Sequence, residues 1–98
     1  MPQLADILRI SQRMARFYFH LQIGSRLVRD ARGIDMPSSQ HAREQALLSM
    51  RELVADAVKA GTDLELEAVV VANTNGRELM LINVREVLPQ RLRAVGCL

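Results

Sequence analysis

The chain has 98 residues, of which 49% are hydrophobic and 24% charged, and a formal net charge of +2. That length makes one domain with a modest core and excludes a second. The composition excludes a disordered chain, and no apolar run approaches the roughly 20 residues that span a bilayer.

The opening stretch "MPQLADILRISQR" lacks the basic start, apolar block and cleavage site of a signal peptide, which predicts a cytoplasmic location and no membrane partner. Within it Leu4, Ile7, Leu8, Ser11 and Met14 recur at helical spacing, so residues 1–13 are expected to form a short amphipathic extension ahead of a single α+β domain over residues 14–98. Alone, so short a helix is marginal in water and needs a surface to pack on.

Two strand-like runs follow, "RFYFHLQI" and "RLVRD", separated by Gly24 and Ser25. A glycine at the first central position suits a type II′ hairpin turn. Pairing Ile23 with Arg26 places Phe17, Phe19, Leu21 and Val28 on one face, the expected core side, and Tyr18, His20, Leu27 and Arg29 on the other. The glycine and proline of "ARGIDMPSS" then break the pattern, and Ser38 or Ser39 is expected to cap a helix. From Ala42 the stripe of Ala46, Leu47, Met50, Leu53, Val54, Ala57 and Val58 predicts one long amphipathic helix ending at Gly61. A second hairpin joins "LELEAVVVAN" to "RELMLINV" through Asn75 and Gly76. Its strands are apolar on both sides of the pleat, so both faces call for a cover. A short helical tail is expected in "VLPQRLRAV".

The predicted architecture is α+β, hairpin-helix-hairpin (ββαββ). It consists of a four-stranded antiparallel sheet, one long packed helix and a short amphipathic N-terminal helix.

Little in the sequence points to catalysis. His20 and His41 have no cysteine or carboxylate at ligand spacing, and the lone Cys97 can form neither an internal disulfide nor a cysteine-based metal site. Nucleotide-binding and hydrolase strings are missing, so the expectation is a non-enzymatic protein without metal or cofactor. Charge is uneven along the chain: residues 1–32 hold six arginines against Asp6 and Asp30, whereas residues 33–67 hold seven acidic groups against Arg43, Arg51 and Lys59. That asymmetry suits an anionic ligand at one end, or head-to-tail contact between copies.

Several stretches carry a family likeness: "MARFYFHL", "GSRLVRD" with Gly33, "AREQALLSMRELVADAVKAG" and "NGRELMLINVREVL". Through Phe17, Phe19, His20, Gly24, Asp30, Gly33, Arg51-Glu52-Leu53 and Gly76-Arg77, the chain from about Met14 to Leu88 resembles a family of small uncharacterised proteobacterial proteins, domain of unknown function 6894. The resemblance implies the same architecture, with His20 a recurring part of it, and no mechanism. The chain differs from that family in its Ile23-Gly24-Ser25 turn and in residues 1–13.

Two functions are consistent with these features. The first is a small interaction module, a homo-oligomer or an accessory subunit of a larger assembly, binding through Val69, Val71, Met80 and Ile82, with Leu4, Ile7 and Leu8 as alternative cover. The second is a nucleic-acid-binding or antitoxin-like regulatory module that uses Arg16, Tyr18, His20, Arg26, Arg29 and Arg32, a tyrosine and an imidazole among cations on a sheet face.

Overall fold

A computed structural model describes residues 14–95. The helix expected over residues 1–13, with Leu4, Ile7 and Leu8, lies outside the described residues, as does Cys97. The chain runs β1 (Ala15–Ile23), β2 (Arg26–Val28), β3 (Ile34–Met36), α1 (Ser39–Ala60), β4 (Leu66–Ala72) and β5 (Glu78–Asn83). A 3-10 turn over Val84–Val87 and the short helix α2 (Gln90–Val95) follow. The class is α+β, with one antiparallel sheet and one long helix, but the order is βββαββ rather than ββαββ.

The additional strand is β3, inside the stretch expected to be irregular. Three residues between Gly33 and Pro37 show no alternation that could announce a strand. Tertiary pairing makes them one: Ile34, Asp35 and Met36 stand opposite Phe17, Arg16 and Ala15 of β1. The Arg16 guanidinium grips Asp35 through two hydrogen bonds of 3.0 and 3.2 Å.

The sheet order is β2-β1-β4-β5, with β3 sharing the outer edge of β1 with β2. The first hairpin has the expected register, Ile23 opposite Arg26, with Gly24 at a φ of 59°. The second closes differently from a two-residue turn. The Asn73 N–H donates to the Arg77 carbonyl, and its side-chain oxygen accepts from the amides of Asn75 and Arg77. Gly76 at a φ of 80° then completes a three-residue loop.

Helix α1 begins and ends where its capping residues dictate. Ser38 accepts from the His41 amide, and Gly61 in the left-handed region lets its own N–H and that of Thr62 reach the carbonyls of Val58 and Ala57. Strand register decides what the helix covers. Phe19 stands opposite Val71, Leu21 opposite Val69, and Val71 and Val69 in turn opposite Met80 and Ile82. Because opposed residues share a face, Phe17, Val69, Val71 and Ile82 meet Ala42, Ala46 and Met50 beneath α1 and form the core. Val69, Val71, Met80 and Ile82, expected to face a partner, are therefore core residues, three of them fully enclosed and Met80 partly so. The face turned away from the helix carries Ala68, Val70 and Ala72, which are buried as well, and Leu81 at the β5 edge, which is 61% exposed.

The helix is also longer than the strands it lies on. Its 22 residues extend about 33 Å at 1.5 Å per residue, against about 23 Å for the seven residues of β4. The buried stripe Ala42, Ala46, Met50 thus continues into Leu53 and Ala57, of which Leu53 is 41% exposed. Truncating Met50 to alanine should cost about 2–4 kcal/mol of unfolding free energy, the cavity cost of an enclosed side chain. Leu53→Ala should cost less than about 1 kcal/mol. Urea unfolding of the two variants, read by circular dichroism, checks this contrast.

Candidate functional site

The outer edge of β1 is shared by two short strands, and neither reaches its middle. β2 pairs with Leu21–Ile23 and β3 with Ala15–Phe17, leaving residues 18–20 without a strand on that side. An edge amide left unpaired is costly when shielded from water. Here the connector between β2 and β3 takes over the ladder. The Phe19 N–H donates to Asp30 Oδ2 at 3.1 Å, while Asp30 Oδ1 accepts from the amides of Arg32 and Gly33 at 3.0 and 3.2 Å. In return the Asp30 N–H donates to His20 Nδ1 at 3.0 Å. One carboxylate and one imidazole replace a missing stretch of strand.

This clamp has electrostatic consequences. Burial would raise the Asp30 carboxyl, but three backbone donors, from Phe19, Gly33 and Arg32, together with nearby His20, outweigh it and hold the group below its ordinary value. Because Nδ1 of His20 accepts a hydrogen bond, the proton of the neutral ring sits on Nε2. His20 is 9% exposed, and every enclosed side-chain nitrogen and oxygen among the described residues has a partner. Nε2 has none, so it reaches the surface. Beside it, Tyr18 lies with its ring centroid 6.4 Å from that of His20 and the planes 21° apart.

Gly33 allows the connector to lie this close. A Cβ there would meet Arg16 Cγ at 2.8 Å and both the Phe17 carbonyl oxygen and Tyr18 Cε1 at 3.0 Å, and its φ is 72°. Glycine satisfies both demands. The Arg16 side chain closes the same corner, donating to the Arg32 carbonyl at 2.7 Å as well as to Asp35. The hydrogen bond with Asp35, with the charge of that carboxylate, raises the guanidinium above its ordinary value.

Residues 16–85 match the family model described as Domain of unknown function (DUF6894). The chain belongs to that family. The matched span runs from the first residues of β1 into the 3-10 turn, so every member of the clamp lies within it. No curated protein and no solved structure matches the chain.

In this DUF6894 chain the residues expected to bind nucleic acid divide into two groups. Arg16, Tyr18 and His20 are part of the clamp: Arg16 is held by Asp35, Tyr18 is half-buried against Gly33, and the His20 ring is enclosed apart from its Nε2 edge. Arg26, Arg29 and Arg32 are exposed. Sequence reasoning missed two features. Asp30 counted only as a charge and a matching residue, although an aspartate two to three residues before an Arg-Gly turn is well placed to accept those amides. The sheet face turned away from the helix was assigned to the wrong parity. The register puts Tyr18, His20, Gln22, Val70, Leu81 and, opposite Ala72, Glu78 there, with Leu81 61% exposed and Leu79, 40% exposed, at the irregularity between Glu78 and Met80.

A shallow depression of about 320 Å³ lies at the start of α1, between Met36, Pro37 and the helix residues His41, Glu44, Gln45 and Leu48. His41 Nδ1 is 2.8 Å from the Ser38 hydroxyl there, which ties the imidazole to the helix cap. Among the described residues no group of three or more His, Cys, Asp or Glu side chains could hold a metal ion. Nor is any described helix long and apolar enough to cross a membrane.

Replacing Asp30 by alanine removes three hydrogen bonds to a charged acceptor at a part-exposed site, a loss of roughly 1–2 kcal/mol after allowance for solvent. Since the folded carboxyl titrates below the ordinary value of 3.8, its contribution is complete above that value and lost as pH falls through the folded one. The melting temperature of the wild type should therefore fall towards that of Asp30→Ala below about pH 4, and the two should stay apart at pH 7. Calorimetry across that range checks it.

Proposed function

We propose that this protein is a small non-enzymatic interaction module that self-associates through the face of its sheet turned away from the helix. The observation that carries this reading is the exposure of Leu81 and Leu79 on a strand surface continuous with buried Val70. A sheet apolar on both sides and covered on one by a single helix gains free energy when the second side leaves water. Contiguous apolar surface of this kind marks contact sites in soluble proteins. The clamp serves the same surface: it holds the middle of β1, and with it Tyr18 and His20, flat at the margin of the face. Assembly with another protein as an accessory subunit would use the same residues.

Binding of a polyanion by the first hairpin is the second reading. It is supported by Arg26, Arg29 and Arg32, which are exposed, and whose side chains make no hydrogen bond or ion pair among the described residues. Affinity for single-stranded RNA should then fall steeply with salt, in proportion to the phosphates contacted.

Light scattering coupled to size-exclusion chromatography tests the first reading. Wild-type protein should elute above the 11.0 kDa of one chain, with the mass rising with concentration. Leu81→Glu, at an exposed position that leaves the core intact, should elute as one chain. A wild type that stays at one chain at all concentrations would sink this reading.

A further inference from the structure

The depression at the start of α1 has two walls. Met36 and Pro37 form one, and His41, Glu44, Gln45 and Leu48 form the other. Those four helix residues recur at i, i+3, i+4 and i+7, so they make a single flank of α1 beside the buried stripe of Ala42, Ala46 and Met50. Leu48 is 48% exposed, and Ile34, on the same side of β3 as Met36, is 46% exposed. Among the described residues nothing closes this corner from outside. We propose that residues 1–13 of the same chain dock in it, laying Leu4, Ile7 and Leu8 against Leu48, Met36 and Pro37. The surface is distinct from the sheet face discussed above, and the proposal stands or falls independently of it.

The point at which the chain enters the sheet selects this occupant. Ala15 is paired with Met36, so Met14 stands level with Pro37, at the end of the sheet where β3 hands over to α1. The residues before Met14 therefore start at the mouth of the depression. Thirteen residues in helical form extend about 20 Å, and Leu48 lies about 10 Å along α1 from His41. The segment is long enough to follow the flank. Being tethered, it also meets its site at an effective concentration on the order of millimolar, an advantage that a separate chain lacks.

The pattern of the segment fits as well. Leu4, Ile7, Leu8 and Ser11 repeat the i, i+3, i+4, i+7 spacing of the flank, which lets the two rows of side chains interdigitate. So short an amphipathic stretch gains stability only from a surface to pack on. The signs of charge agree, since the segment holds Arg9 and Arg13 against Asp6, while the flank holds Glu44, with Glu52 one turn beyond Leu48. The other side of the sheet offers the segment less. There Ala68, Val70, Ala72 and His20 are already buried, and the exposed Leu81 belongs to β5, two strands away from β1.

Paramagnetic relaxation in the full chain tests this. A nitroxide on Gln3→Cys, in a Cys97→Ser background, should broaden the amides of α1 from His41 to Glu52 more strongly than those of any other element. Leu48→Glu, at an exposed position, should abolish that broadening and leave the chemical shifts of the core unchanged. Ile7→Glu combined with Leu8→Glu should do the same from the other partner, which serves as an independent arm should Leu48→Glu not fold. Strongest broadening over Val70 and Leu81 would put the segment on the far side of the sheet, and broadening confined to the neighbours of Met14 would leave it undocked; either overturns the proposal. Mixing spin-labelled chains with isotope-enriched, unlabelled ones separates one copy from two. Broadening of the α1 flank should be absent from the mixture, and its presence there at full strength would mean that the segment docks on another copy, which overturns the proposal as well.

Discussion

One helix lies on a sheet whose central strand is apolar on both sides, and most of the structure follows from that imbalance. In β4, Val69 and Val71 alternate with Ala68, Val70 and Ala72, so neither side of the strand is suited to water. Register with Phe19 and Leu21 sends the odd-numbered valines to the helix. The even-numbered residues are left with small side chains and the flanking Tyr18, His20 and Leu81 as their neighbours on the sheet. Choosing alanine at Ala68 and Ala72 lowers the apolar area on that side, and the larger exposed groups are confined to β5 at the edge. The face is thus flat in the middle and prominent at Leu79 and Leu81.

The long β1 strand makes this sheet possible at such short chain length. Its nine residues are paired on the inner edge by β4 and on the outer edge by two strands of three residues each. Two strands that short would ordinarily leave the edge open to another chain. The Asp30 and His20 clamp closes it with side-chain groups and does so at a point where the backbone must turn away. Gly33 permits the approach, Arg16 ties β3 and the connector to β1, and Tyr18 lies against the glycine. These residues are interdependent. His20 can accept from the Asp30 amide only if the connector is pulled in by the Asp30 carboxylate, and the connector can be pulled in only if position 33 has no side chain.

Much of the fold was legible in the sequence, because the signals were local. Ser38 and Gly61 marked the ends of α1, Gly24 set the first hairpin and its register, and the asparagine and glycine after β4 announced the second. What was not legible depended on contacts between distant segments. Three residues at Ile34–Met36 have no periodicity and become a strand only because Phe17, Arg16 and Ala15 stand opposite. In the second hairpin, pairing Val69 with Ile82 was readable, but which face met the helix was not, since both are hydrophobic. The answer required knowing that β1 lies beside β4, for then the side of Phe17 and Phe19 carries Val69 and Val71 with it. Lacking strand order, the choice between Val71 and Val70 was arbitrary, and the four residues first assigned to an interface were the core. The clamp was hidden for the same reason: His20 read as a displayed side chain because its partner is a backbone amide ten residues away.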